Sequence, residues 1–240
     1  MWSICKKELS QFFSNLSGYI AICLFLLVNG LFLFVLKDSN LFDYGYASLD
    51  RFFDLAPWIL LFLVPAITMR VLSDEFRGGT FELLQTRPLT RIQIVSGKYL
   101  SVLIVLLFVI IPTFLYILSI RSLSATGTVD AGGIAGSYIG LFSLGAVFAA
   151  IGICSSSFTS NAVVAFLIAA FLCLTCYFGF SALSKLPVFQ GQWDYYIEMF
   201  GIDFHYRSMS RGLLDSRDLI YFLSLIVLFL FITVKNLRKR

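Results

Sequence analysis

Charge is scarce in this 240-residue chain. Only 13% of its residues are Asp, Glu, Lys or Arg, and 59% are hydrophobic, where a soluble domain carries about 25% charged residues. Together with a mean hydropathy of +0.88, this excludes an ordinary soluble globule. Long polar stretches are lacking too. The longest, Ser184–Asp218, is shorter than the roughly 50 residues at which independent domains begin, so no separate catalytic domain fits. The alternation of a transmembrane barrel is absent, because apolar residues run on all sides of each segment.

Catalytic chemistry is equally thin. There is one histidine, His205, with no Cys or carboxylate cluster around it in sequence, which is weak grounds for a metal or a base. No phosphate loop occurs: Ser96-Gly97-Lys98-Tyr99 lacks both the earlier glycine and the following hydroxyl residue. No Ser/His/Asp or His-Glu-x-x-His constellation is present, which disfavours an intramembrane enzyme. The five cysteines are Cys5, Cys23, Cys154, Cys173 and Cys176. They avoid the large polar loops and imply no disulfide framework; Cys173 and Cys176 read as small packing residues. No acidic residue, Lys or His stands near the centre of an apolar segment, where ion-coupled carriers place them. Any energy for work therefore comes from a partner.

What is present is a series of apolar runs. A helix crosses the hydrocarbon core with roughly 20 apolar residues, and runs of this kind fall at about 18–36, 55–72, 97–120, 135–156, 161–183 and 219–234. This predicts an all-α integral membrane protein with six transmembrane helices in one domain, 1–240. The first run lacks a small-x-small cleavage site and is expected to be retained. Pro57, Pro65 and Pro112 predict kinks. Residues 1–17 place Cys5, Leu9, Phe12, Phe13 and Leu16 at helical spacing, as an interfacial helix does. The acidic residues of 37–54 stand singly and read as a solvated face. The aromatic-rich stretch 184–218 predicts one or two short amphipathic helices at the outer interface.

Six spans put both termini on one side. Lys6, Lys7, Arg70, Arg77, Arg87, Arg91, Lys98, Lys235, Arg238, Lys239 and Arg240 share that side, and the smaller set of Lys37, Arg51, Arg121, Lys185, Arg207, Arg211 and Arg217 lies opposite. The excess marks the first side as cytoplasmic. Of the acidic residues, only Glu8, Asp74, Glu75 and Glu82 fall with it.

Two stretches stand out. The run through Gly132, Gly136, Gly140, Gly145, Ala149 and Gly152 carries small residues at helix-packing spacing, predicting a helix enclosed by the bundle or set against a partner subunit. Ser155–Asn161 is expected to turn tightly into the fifth span. The stretch Leu72–Leu100 is the polar interruption between spans two and three. Thr80 reads as an N-cap, Phe81–Thr86 as a short helix with Leu83 and Leu84 apolar, and Arg87-Pro88 as its stop. Thr90-x-x-Gln93 is a capping box for the next helix. A short helix so displayed suits docking into a groove of a soluble domain.

The run from Asp74-Glu75 through Gly78-Gly79-Thr80-Phe81-Glu82-Leu83-Leu84 to Arg87-Pro88, followed by Ile94-Val95-Ser96-Gly97-Lys98, resembles the permease subunits of ABC-2 type transporters. Phe81 departs from a smaller aliphatic. Further runs resemble the gliding-motility-associated, GldF-type subfamily of Bacteroidetes. They include Pro65-Ala66-Ile67-Thr68-Met69-Arg70, Gly136-Ser137-Tyr138-Ile139-Gly140 and Gly201-Ile202-Asp203-Phe204-His205-Tyr206.

The resemblance implies a type V exporter-like fold in a bacterial inner membrane, with a coupling helix between helices 2 and 3. It implies docking of a GldA-like ATPase, which would bind ATP and Mg, through Asp74, Glu75, Gly78, Gly79, Thr80, Phe81, Glu82, Leu83, Leu84, Arg87 and Pro88. It also implies a GldG-like second membrane subunit, with no cofactor or metal in this chain. The alternative is a non-transporting scaffold or force-transmitting subunit of a motility or secretion machine.

Overall fold

The computed structural model describes residues 1–35, 49–81, 90–123, 130–187, 191 and 193–239. Among them there are helices and no strand. In chain order these are α1 (Trp2–Ser14), α2 (Leu16–Phe34), α3 (Asp50–Thr68), α4 (Arg70–Arg77), α5 (Arg91–Ile110) and α6 (Phe114–Leu123). They continue with α7 (Ala131–Phe158), α8 (Ala162–Leu174), α9 (Phe180–Ser184), α10 (Asp194–Met199), α11 (Ile202–Ser210) and α12 (Ser216–Lys239). A 3-10 turn at Ile111–Thr113 joins α5 to α6, around Pro112. A π turn at Thr175–Gly179 joins α8 to α9.

Among the described residues, five continuous helical segments are long and apolar enough to cross a membrane: Asp50–Arg77, Arg91–Ser122, Ala131–Phe158, Ala162–Ser184 and Ser216–Arg238. The first predicted span passes only together with α1, as a pair bent by 70°, which brings the total to as many as six. The bend needs Gly18, because a Cβ there would meet the Phe12 carbonyl oxygen at 2.7 Å.

Span two was expected to end near residue 72; the helix itself continues through α4 to Arg77. The break at Met69 is bridged from another helix. Ser156 Oγ accepts the backbone N–H groups of Leu72 (2.9 Å) and Ser73 (3.0 Å), so an inserted side chain substitutes for rungs of the helical ladder. The expected turn at Ser155–Asn161 is correspondingly shorter. Ser155, Ser156 and Ser157 are fully buried in the last turn of α7, and α8 starts at the Asn161 cap.

The centre of the bundle is α7. Its small residues let neighbours approach on several sides. A Cβ on Gly136 would meet Gly212 Cα at 2.8 Å, one on Gly140 Met209 Cβ at 2.9 Å, and one on Gly145 Leu106 Cδ2 at 2.6 Å. Gly152 abuts Thr68, and Ala149 is fully buried. The packing thus lies within the chain, against α3, α5 and the α11–α12 turn. Gly132 departs from its expected place: it is exposed at the helix start and meets only Asp130 of its own cap. Gly133, one residue on, faces Gly212, whose φ of +80° admits a glycine readily.

The stretch expected to lie on the outer interface is divided. Trp193, Tyr195, Tyr196 and Phe200 are exposed, but α11 buries Ile202, Tyr206 and Met209 against the bundle. His205 joins α11 to α12. Its Nδ1 lies 2.7 Å from Asp218 Oδ1, its Nε2 is 2.9 Å from the Met199 carbonyl, and its ring stacks on Tyr221. Among the described residues no three His, Cys, Asp or Glu side chains form a metal-holding group.

Candidate functional site

At the end of the bundle that holds the start of α5, three elements converge on one side chain. Thr90 caps α5 as its sequence predicts: its side chain accepts from Gln93 N (3.3 Å) and the Gln93 side chain accepts from Thr90 N (3.0 Å). The helix then presents Gly97 to α1. A Cβ at this position would lie 2.8 Å from the Met1 carbonyl oxygen and 3.1 Å from Ile4 Cβ. Only a residue without one lets α1 rest on the α5 backbone.

The next residue, Lys98, is fully buried. Its Nζ lies 2.8 Å from Glu8 Oε1 on α1 and 2.8 Å from Glu75 Oε1 on α4, and donates to the Val71 carbonyl at 2.7 Å. These three partners match the three protons of an ammonium group. Lys7 closes the rim, 3.3 Å from Glu75 and 3.7 Å from Glu8, with its side chain half exposed. Two carboxylates and two ammonium groups balance in charge. Such a buried group contributes little net stability over an apolar replacement, yet losing one member costs about 3–5 kcal/mol. It therefore fixes how α1, α4 and α5 sit together. Glu75 Oε2 is buried without a hydrogen-bond partner among the described residues, so the cluster retains one unused acceptor.

The structure separates the residues of the predicted docking run. Asp74, Gly78, Gly79 and Thr80 are exposed. Gly78 N–H bonds back to the Asp74 carbonyl at 2.9 Å, and Gly79, at φ +65°, ends the helix in the left-handed region. Glu75 and Phe81 face inward instead. Glu75 is spent on Lys98, because α4 continues the span and turns that face toward α1 and α5. Phe81 is 5% exposed and packs on Phe76, Val95 and Leu237. It anchors the chain entering 82–89 between α5 and α12. Glu82, Leu83, Leu84, Arg87 and Pro88 lie outside the described residues. The end of α12 is fastened by Asn236, whose Nδ2 donates to the Ser157 carbonyl at 2.7 Å.

Sequence reasoning had not joined Glu8, Glu75 and Lys98. The available signal was Lys98 itself, a charge at the edge of an apolar run directly after a glycine. Its carboxylate partners are 90 and 23 positions away in sequence, in segments that no periodicity links. Nothing in the group is a nucleophile poised beside a base. The arrangement ties α1, α4 and α5 together through one ammonium group.

A model of the ABC-2 family transporter proteins matches residues 2–188, a stretch that includes every member of this cluster. No curated protein sequence matches the chain.

Proposed function

This chain belongs to the ABC-2 transporter family, and from that premise we propose that it is the permease subunit of an ATP-driven complex whose ATPase docks beside residues 78–89. The family implies a separate ATP-binding subunit and a multi-pass place in the membrane. The observation that carries the coupling role is the buried contact of Lys98 with Glu8 and Glu75, three residues upstream of the exposed Gly78-Gly79 turn.

In this reading both termini and the Gly78-Gly79 turn face the cytoplasm, where the partner binds ATP and Mg. Closure of the ATPase pushes on 78–89. Phe81 and α4 carry the motion to Lys98, and Lys98 moves α1 and α5 together. Leu83 and Leu84 serve as apolar anchors, with Glu82 and Arg87 as polar contacts. We propose gliding motility as the process served, with a GldA-like ATPase and a GldG-like membrane subunit as partners, a reading that the GldF-like runs support.

The test is co-reconstitution with the ATP-binding subunit that co-purifies from the native membrane. The pair Glu82→Lys with Leu83→Asp should abolish co-purification and permease-stimulated ATP turnover. Lys98→Met should keep co-purification but lower the stimulated turnover. Normal assembly and turnover in the first variant would sink the docking assignment; normal turnover in the second would sink the relay.

A further inference from the structure

A cavity of about 400 Å³ opens in the elbow between α1 and α2, bounded on the other sides by α3, α4 and α5. Its size falls in the range of small-ligand pockets, about 300–1,000 Å³. Its lining is sorted by chemistry. The inner wall is apolar, with Leu63, Ile67, Val102 and Val105. The mouth includes Ile20 and Leu24, both about half exposed on the α2 face, so it opens where α2 would meet acyl chains. The end nearest α1 and α4 is polar, with Glu8, Gln11, Asn15, Arg70 and Asp74, and the Glu8 carboxylate there is already held by Lys98 at 2.8 Å.

Arg70 and Asp74 stand one helical turn apart on α4, a separation of about 5–6 Å between Cβ atoms, and both border the cavity. That spacing permits an ion pair between them. Here, among the described residues, neither side chain forms one. A cation and an anion are thus presented side by side at the polar end of an apolar slot.

We propose that this cavity holds one resident molecule of a zwitterionic phospholipid, phosphatidylethanolamine in kind. Arg70 binds the phosphate, Asp74 accepts from the ammonium group, and one acyl chain lies along Leu63, Ile67 and Val105. The amides of Gln11 and Asn15 reach the glycerol and ester oxygens. The headgroup carries its two charges two carbons apart, which suits donors and acceptors one helical turn apart. An anionic lipid satisfies Arg70 but leaves Asp74 facing a phosphate, and a detached headgroup leaves the apolar wall empty. The lipid wedges α1 against α4 beside the Lys98 cluster, so the site stands whether or not the chain transports anything.

The experiment is native mass spectrometry of the full chain released from nanodiscs of equal phosphatidylethanolamine and phosphatidylglycerol. The wild type should retain one phosphatidylethanolamine per chain. Arg70→Glu, which reverses the phosphate contact, and Ala66→Trp, which fills the slot from a lining position that is exposed, should each lower retention about ten-fold, the size of one lost charge-assisted contact. Leu213→Ala, at an exposed site outside the cavity, should not. Equal retention of phosphatidylglycerol would overturn the charge assignment. Equally tight binding of glycerophosphoethanolamine, which has no acyl chain, would overturn the slot assignment. Unchanged retention in both cavity variants would overturn the site.

Discussion

Replacing Lys98 by methionine is the sharpest perturbation of the buried ion cluster, because methionine keeps most of the apolar stem and removes only the ammonium group. In the wild type that group touches Glu8, Glu75 and the Val71 carbonyl at 2.7–2.8 Å. Without it, two carboxylates with side chains only 13% and 10% exposed face each other, with Lys7 as their remaining cation. Truncating one member of a buried ion group costs about 3–5 kcal/mol. The matched control is Lys7→Met: its side chain is 53% exposed, and exposed ion pairs contribute about 0–1 kcal/mol.

Unfolding in detergent, titrated with denaturant, should therefore separate the two variants by at least about 2 kcal/mol, the gap between those ranges. Hydrogen exchange should rise selectively in α1. A third variant, Glu8→Met with Glu75→Leu and Lys98→Met, should recover most of the stability, since apolar replacement of a whole buried ion group is often neutral. It should still lack stimulated ATP turnover. Lys98→Met unfolding like Lys7→Met, with α1 exchange unchanged, would refute the reasoning.

Three further expectations follow from named contacts. Gly97→Val should push α1 off α5 and cost about 1–3 kcal/mol, as overpacking does, seen as lower denaturant midpoints and faster exchange in Trp2–Ser14; an unchanged α1 would show that Gly97 is not its seat. Gly152→Ala should destabilise through its clash with Thr68, and Thr68→Ala in that background should restore part of the loss, giving a non-additive double-mutant cycle. Tyr206 lies outside the spans and donates to the Phe53 carbonyl at 2.6 Å; burial first, then Tyr177, Asp54 and Asp203, pushes its phenol well above the usual range. The folded state thus holds the proton more tightly, so this contribution is full below the free tyrosine pKa near ~10 and is lost as pH rises beyond it. Tyr206→Phe should cost about 1–3 kcal/mol at neutral pH, the range for an orphaned buried acceptor, and flatten the alkaline fall in stability; an identical alkaline slope would refute the assignment.

Five of the apolar runs, the Thr90 capping box and the glycine-rich α7 were legible because each is a local sequence signal, while the first run passes as a span only together with α1 across a 70° bend. The fate of Asp74-Glu75 was not. As a pair of adjacent acids before Gly-Gly they read as loop, yet α4 carries the helix on to Arg77 and points them to different faces, one exposed and one buried. What keeps the helix going is Ser156, 84 residues from Leu72 in sequence, and a long-range side-chain acceptor has no local signature. Phe81 shows the same limit: it opens the expected short helix, and its burial against Val95 and Leu237, from other helices, has no local signature. His205 went the other way. Poor in sequence neighbours, it acquires Asp218 and Tyr221 only once α11 folds back on α12.

The choice of an ion cluster rather than a hydrophobic seam at this joint bears on mechanism. A seam of leucines would hold α1, α4 and α5 over a range of small sliding displacements, because dispersion contacts are individually weak and non-directional. An ammonium group with three short contacts tolerates little displacement before one is lost, and the loss of any one leaves a buried charge short of partners. The joint is therefore stiff near its resting geometry and fails abruptly, which is how a small push becomes a two-state change. Glu75 Oε1 already bridges both cations, 2.8 Å from Lys98 and 3.3 Å from Lys7, so a displacement of α4 strains both contacts at once. In the coupling role proposed above, a push arriving beside Gly78-Gly79 would reach both ammonium groups through the one Glu75 carboxylate.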